Sequence, residues 1–217
     1  MATASRRWGL VIDSIRILRE DGTRAFWIHT IQSLGIYRRL IVMGGYSARM
    51  PEPGEVEIVC EELPPEQMAQ YMSLREDQDP EMIKRRFDRG EVCLVTRNEG
   101  EIIAASWIAS GITWVDYLDS SLRLADDCIY AFDSFVHESF RGKRVANELT
   151  RYRMHWIEQA GYKRAIGLIW PENKNSMRRG VRLERGEIGD IVRYGIGPWQ
   201  KFSVRLTGKH SDICTID

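Results

Sequence analysis

The sequence predicts a mixed α/β fold, a sheet covered by helices in the α+β sense, on three observations. Strand-like and helix-like segments alternate from Glu55 to Leu206, the pattern of a layered sheet domain. Asn98-Glu99-Gly100 separates two apolar runs, a strong hairpin signal. The segment Phe132-Asp133-Ser134-Phe135-Val136 leads through the basic loop Arg141-Gly142-Lys143-Arg144 into an amphipathic stretch. A helix start there would present unpaired N–H groups and the positive end of a dipole, which suits a phosphate.

Taken in order, Val11, Ile12, Ile15 and Leu18 recur at helical spacing before Asp21-Gly22 breaks the pattern. Residues 25–34 favour a second helix, with Phe26, Trp27, Ile31 and Leu34 apolar. Residues 37–42 read as a strand and Gly44-Gly45 as a turn. Residues 1–50 are thus expected to form a helical extension packed on the main domain, or an arm for a membrane surface or a partner. Met50-Pro51-Glu52-Pro53-Gly54 reads as the linker.

The main domain is expected over residues 55–206. Residues 56–60 look like a strand. Pro64-Pro65 opens a helix to about Arg75, because proline suits a first turn. Pro80 opens another, with Met82, Ile83 and Phe87 apolar, ending at Gly90. Residues 91–97 and 101–108 form the hairpin, 112–118 are aromatic and β-prone, and 120–127 read as a polar connection. Residues 128–136 are the next strand. Val145, Leu149, Tyr152 and Trp156 then fall on one helical stripe, closed by Gly161. Residues 165–169 are a short buried-type strand, 171–175 a loop and 176–184 a helix. Two last strands follow at 188–194 and 200–206, and 207–217 are expected to fray as a tail.

Composition narrows the class. The 217 residues are 43% hydrophobic and 29% charged, with 31 Lys+Arg balancing 31 Asp+Glu. Zero net charge removes a whole-molecule basic field for nucleic acid. No apolar run approaches the roughly 20 residues of a membrane span. Asp13 and Arg16 interrupt the apolar start, which makes a poor signal peptide, so a cytoplasmic protein is expected. Cys60, Cys93, Cys128 and Cys214 lie far apart without metal-ligand spacing, and His29, His137, His155 and His210 form no ligand pattern. Buried reduced thiols and no metal are the expectation. The phosphotransfer loop GxxxxGK[ST] does not occur.

The element order, together with Arg141-Gly142-Lys143-Arg144-Val145-Ala146, resembles the GCN5-related N-acetyltransferase (GNAT) superfamily over about residues 55–206. That family's acyl-CoA loop reads Gln/Arg-x-x-Gly-x-Gly/Ala between its fourth strand and the following helix. Arg141 and Ala146 match; Arg144 stands where the family has a glycine. Ile169-Trp170-Pro171-Glu172-Asn173, followed by Ser176, fits the second signature, in which an asparagine follows the fifth strand. The resemblance implies a mostly antiparallel sheet with a splayed strand pair and acetyl-CoA, or another acyl-CoA, as co-substrate. It implies CoA contacts from Phe135, Val136, Arg141, Gly142, Lys143, Arg144, Val145, Ala146, Asn173 and Ser176. The family's helical tyrosine, a thiolate acid, is absent from residues 177–183, and Glu187 rather than phenylalanine follows Gly186.

The reaction so implied is acyl transfer to the primary amine of a small molecule or peptide. Backbone groups of Phe135, Val136 and His137 would hold the pantetheine and polarise the thioester. Asp133 is the leading general-base candidate, its pKa raised by Phe132 and Phe135, with His137 second. The competing role for Asp133 is an ion pair with an arginine that orders the strand. Trp170 is a candidate acceptor wall, Trp107 and Trp114 read as core, and Asn173 or Asn175 could cap the following helix. Arg178, Arg182 and Arg185 share one face. Two alternatives stand beside this reading: longer-chain N-acylation from acyl-CoA or acyl carrier protein, and an acyl-CoA-binding regulatory domain without turnover. The last strands and the N-terminal extension could support a homodimer.

Overall fold

The computed structural model describes residues 36–44, 51–52, 57–182, 186–196 and 199–217. The strands are β1 (Tyr37–Gly44), β2 (Val59–Leu63), β3 (Val92–Asn98), β4 (Glu101–Ser110), β5 (Ile112–Val115), β6 (Ser120–Leu124), β7 (Cys128–Val136), β8 (Arg164–Ile169), β9 (Gly186–Ile196), β10 (Trp199–Leu206) and β11 (Cys214–Ile216). The helices are α1 (Met68–Leu74), α2 (Pro80–Asp88), α3 (Val145–Gln159) and α4 (Lys174–Arg182). An eight-stranded sheet has the order β10-β9-β1-β8-β7-β4-β3-β2, and β11-β6-β5 form a second sheet. Among the described residues only β7 and β8 pair in parallel; the other pairings are antiparallel.

Local chemistry accounts for the elements. Asp79 caps α2 by accepting from the Glu81 N–H at 3.0 Å, with Pro80 in the first turn. Between β3 and β4, Glu99 and Gly100 both take positive φ, as a two-residue hairpin turn matched to strand twist requires. Trp107, Tyr71 and Ile83 anchor the layer of α1 and α2 on one face of the sheet. The small sheet covers the same face beside them through Leu122, Leu124 and Ile213. On the opposite face α3 packs Val145, Leu149 and Ile157 against Ala104, Ile108, Ile129 and Ala165.

Four expectations change. The strand at 37–44 is not an appendage: it lies hydrogen-bonded between β9 and β8. Buried Asp190 on β9 accepts from Arg39 on β1 at 2.9 Å and from Arg205 on β10 at 3.0 Å, which ties the three strands. The helices expected in residues 1–34 lie outside the described residues. Residues 120–124 form a strand because Ser120, Leu122 and Leu124 alternate inward. The tail does not fray: Ile213 and Cys214 are buried, β11 pairs with β6, and Asp217 meets Arg123 at 2.6 Å. Trp114, read as core, points outward on β5 and is 42% exposed, whereas Trp107 is fully buried. Cys93, Cys128 and Cys214 are free buried thiols. Burial pushes Cys128 up to about 12 and Cys214 up to about 11.

Candidate active site

The parallel pair β7–β8 comes apart. Its register runs Cys128–Arg164, Ile129–Ala165 and Tyr130–Ile166, then stops. Past Tyr130, the edge of β7 facing β8 has no strand partner among the described residues, although both strands continue. A cavity of about 450 Å³ fills the opening. Ala131 to Val136 line it from β7, and Gly167 to Trp170 from β8 and the residue after it. Across it stand Ala146, Leu149, Thr150 and Arg153 of α3, and Asn173 and Ser176 at the start of α4.

β7 also carries a bulge. Trp107 pairs with Phe132 and Ala105 with Phe135, so two residues of β7, Asp133 and Ser134, oppose Ser106 alone. Asp133 sits at φ +45°. After the bulge the His137 N–H is engaged by the Ile103 carbonyl at 2.8 Å. Alternation along the strand therefore turns the N–H and C=O of Val136 to the open edge and those of Phe135 toward β4. The Val136 carbonyl accepts from Arg141 Nε at 3.3 Å.

At the mouth, Arg144 occupies the N-cap of α3 at φ +59° and Gly142 takes φ +83°. The arginine therefore adopts the left-handed conformation that a glycine reaches without strain. The Arg144 side chain makes no capping bond to α3. The Arg144 guanidinium turns away to Glu52 at 3.2 Å, and Lys143 Nζ lies 5.0 Å from the Phe140 ring centre. Val145 sends its side chain into the core, so this corner offers backbone N–H groups beside the basic side chains of Arg141 and Lys143. That is an anion-binding arrangement of the right kind for a diphosphate.

Asp133 follows the competing expectation, an arginine ion pair, rather than that of a base with a raised pKa. Its two oxygens meet Arg75 Nη1 at 2.8 Å and Arg86 Nη1 at 2.7 Å. Burial pushes the carboxyl up, but the hydrogen bonds and charges of Arg86 and Arg75 outweigh it and hold Asp133 below the usual carboxylate range. The anticipated upward shift is thus reversed: a carboxylate held by two guanidiniums is a weak proton acceptor. His137 does not line the cavity; its Nδ1 accepts from the Ser139 N–H at 3.4 Å and its ring meets Phe140.

The remaining sequence candidates fall as follows. Asn173 caps α4, its Oδ1 accepting from the Ser176 N–H at 3.1 Å, and Asn175 lies inside the helix. Trp170 is 51% exposed at the cavity mouth and packs on Tyr117, ring centres 4.9 Å apart. Arg38 of β1 holds Tyr117 by a 2.6 Å bond to its carbonyl. Arg185 lies outside the described residues. Sequence reading missed Met43, Ser134, Thr150, Arg153 and Gly167 as lining residues. Arg153, buried on α3, donates to Ser106 Oγ at 2.9 Å and to Ser134 Oγ at 3.3 Å, bracing the bulge from the α3 side. An arginine at a buried helical position was the signal available for it. Among the described residues no cluster of His, Cys, Asp or Glu could hold a metal, and no helix is long and apolar enough to cross a membrane.

Comparison with known proteins agrees with this geometry. The family model of the acetyltransferase (GNAT) family matches residues 56–179. No curated protein matches. A functionally unknown conserved protein from Staphylococcus epidermidis ATCC 12228 shares the fold at 12% identity, with TM-score 0.53 over 78% of this chain and 67% of that one. AAC(6')-Iy in complex with a bisubstrate CoA analog is 17% identical, with TM-score 0.49 over 60% of this chain and 92% of that one. Glucosamine-6-phosphate N-acetyltransferase from Arabidopsis thaliana is 17% identical, with TM-score 0.41 over 58% and 90%. With its family model matched over more than half its length, and with a splayed parallel strand pair beside a basic helix start, the chain belongs to the GNAT acetyltransferase family.

Proposed function

We propose that the protein transfers an acyl group, acetyl in the first instance, from acyl-CoA to a primary amine by direct attack. One observation carries this reading: β7 and β8 part beyond Tyr130 and Ile166, and a cavity runs from that gap to the start of α3. The diphosphate rests on the N–H groups of Gly142, Arg144 and Val145, and the pantetheine arm lies in the opening, where the Val136 N–H and C=O replace the missing strand. The amine nitrogen attacks the thioester carbon, the C–N bond forms, the C–S bond breaks and CoA leaves as the thiolate. A backbone N–H aimed at the developing oxyanion is worth about 2–4 kcal/mol.

An amine must shed its ammonium proton before attack. With Asp133 committed to two arginines, that proton passes to water at the open mouth beside Trp170. The thiolate leaves unprotonated, an acceptable path for a thiol of pKa near ~8.5 beside the start of α4.

Isothermal titration with CoA and acetyl-CoA, followed by thiol release over a panel of amines, tests the proposal. Micromolar-class binding and amine-dependent thiol release are expected. Binding without release over the whole panel would leave an acyl-CoA-binding domain, and absence of binding would remove the proposal.

A further inference from the structure

Two arginines grip the bulge of β7 from above. Arg75 follows α1 and Arg86 lies in α2. Each donates to a different oxygen of Asp133, the bulge residue held at φ +45°. Each also lies over an aromatic ring next to the bulge in the chain: the Arg75 guanidinium is 4.6 Å from the centre of Phe135, and that of Arg86 is 5.0 Å from Phe132. Both flanks and the centre of the bulge are therefore pinned by the same two side chains. The arginines are themselves held, Arg75 by Asp77 at 2.9 Å and Arg86 over the buried Trp107 ring at 5.2 Å.

This is more fixing than a strand pair needs. A non-glycine residue in the left-handed region is strained and persists only where its surroundings over-determine it. Straightening the bulge would slip the register by one residue and reverse which face every later side chain meets. It would also turn Val136 N–H from the open edge toward β4, and Phe135 N–H the other way. The clamp thus decides which amide faces the cavity.

We propose that Arg75 and Arg86 are positioning residues for acyl transfer, acting through Asp133 to keep the Val136 amide aimed at the thioester carbonyl. The inference rests on the acyl-CoA reading of the cavity above. It makes two predictions that a purely structural salt bridge would not. The first concerns the split between binding and turnover. The diphosphate corner lies at the start of α3, on loop residues the clamp does not touch, so CoA affinity should persist when the clamp is weakened. The second concerns the carbonyl itself, whose polarisation should follow the aim of the amide.

The test uses the full chain with Arg75→Gln, Arg86→Gln and the matching Arg→Lys variants, read by acetyl-CoA titration, steady-state kinetics and isotope-edited infrared of acetyl-CoA labelled with carbon-13 at the carbonyl. In the wild type the bound carbonyl band should lie below that of free acetyl-CoA. In the Gln variants kcat should fall at least tenfold, CoA affinity should stay within about threefold, and the band should move back toward the free position. Lysine should restore part of both, because it keeps the charge but can neither span the carboxylate nor lie flat on a ring. If the Gln variants fail to fold, the Lys variants carry the test: a three- to tenfold loss of kcat with an intermediate band supports the clamp. Wild-type kcat and band position in folded variants would overturn it, as would a loss confined to CoA affinity. A wild type that binds no acetyl-CoA would instead sink the acyl-CoA reading, a distinct result.

Discussion

Asp133 shows how far one residue's meaning depends on its neighbours. As a carboxylate between phenylalanines it suggested a raised pKa; between Arg75 and Arg86 it has a lowered one. Its linkage to stability follows that sign. A depressed folded pKa contributes stability above the unfolded value near ~4 and loses it as pH falls through the lower folded value. Asp133→Asn should therefore flatten the acid limb of stability below about pH 4. At neutral pH it should cost about 3 kcal/mol, because buried Arg86 loses its carboxylate partner and buried Arg75 keeps only Asp77. Urea unfolding at several pH values measures both. Arg144 is the other strained residue. Arg144→Gly should relieve about 1–2 kcal/mol of left-handed strain against about 0.5–1 kcal/mol of added chain entropy, a small net gain in melting temperature. Arg144→Val should lose stability and weaken CoA binding, since a β-branched residue resists that conformation.

At the scale of elements, the gap between β7 and β8 is the feature to perturb. Gly167 faces the gap from β8, and a Cβ added there would meet only the Ala131 carbonyl, at 3.7 Å. Gly167→Leu should therefore fold with little change in melting temperature while its side chain fills the pantetheine path, lowering CoA affinity at least tenfold by titration. Unchanged affinity would place the cofactor elsewhere. The small sheet makes a separate claim. Ile213 is fully buried beneath it, so Ile213→Ala should cost about 3 kcal/mol by cavity formation. A frayed tail would show no loss.

For the whole molecule, binding and chemistry are joined by mass action. A ligand that binds only the folded state at 100 times its Kd adds about 2.7 kcal/mol, so saturating CoA should raise the melting temperature measurably. The pH dependence of turnover is a second whole-molecule readout. Since Asp133 stays ionised from mildly acidic to alkaline pH, kcat/KM should climb with the deprotonation of the acceptor amine itself. An acidic limb with a midpoint between pH 5 and 7 would reveal a protein base that the present mechanism does not use.

Local signals were enough for most elements. The Asn98-Glu99-Gly100 turn, Pro80 after Asp79 and the stripe through Val145 and Leu149 each act over a few residues, where backbone preference and hydrophobic period decide the outcome. The glycine-containing basic loop and Asn173 marked the two ends of the site for the same reason. Pairing partners are another matter. Nothing local says that residues 37–44 enter the sheet beside β8, or that 214–216 close the small sheet, because strand neighbours are chosen by long-range burial and cross-strand contacts such as Asp190 with Arg39 and Arg205. The same limit hid Arg75, Arg86 and Arg153. Their significance lies in converging on one bulge from three helical segments, and only the folded chain brings them within hydrogen-bonding distance of Asp133, Ser106 and Ser134. Sequence alone determined the basic, glycine-containing corner at the start of α3, which local residue order fixes; tertiary structure decided, through long-range contacts, which charged groups are already committed and which amide is left facing the cavity.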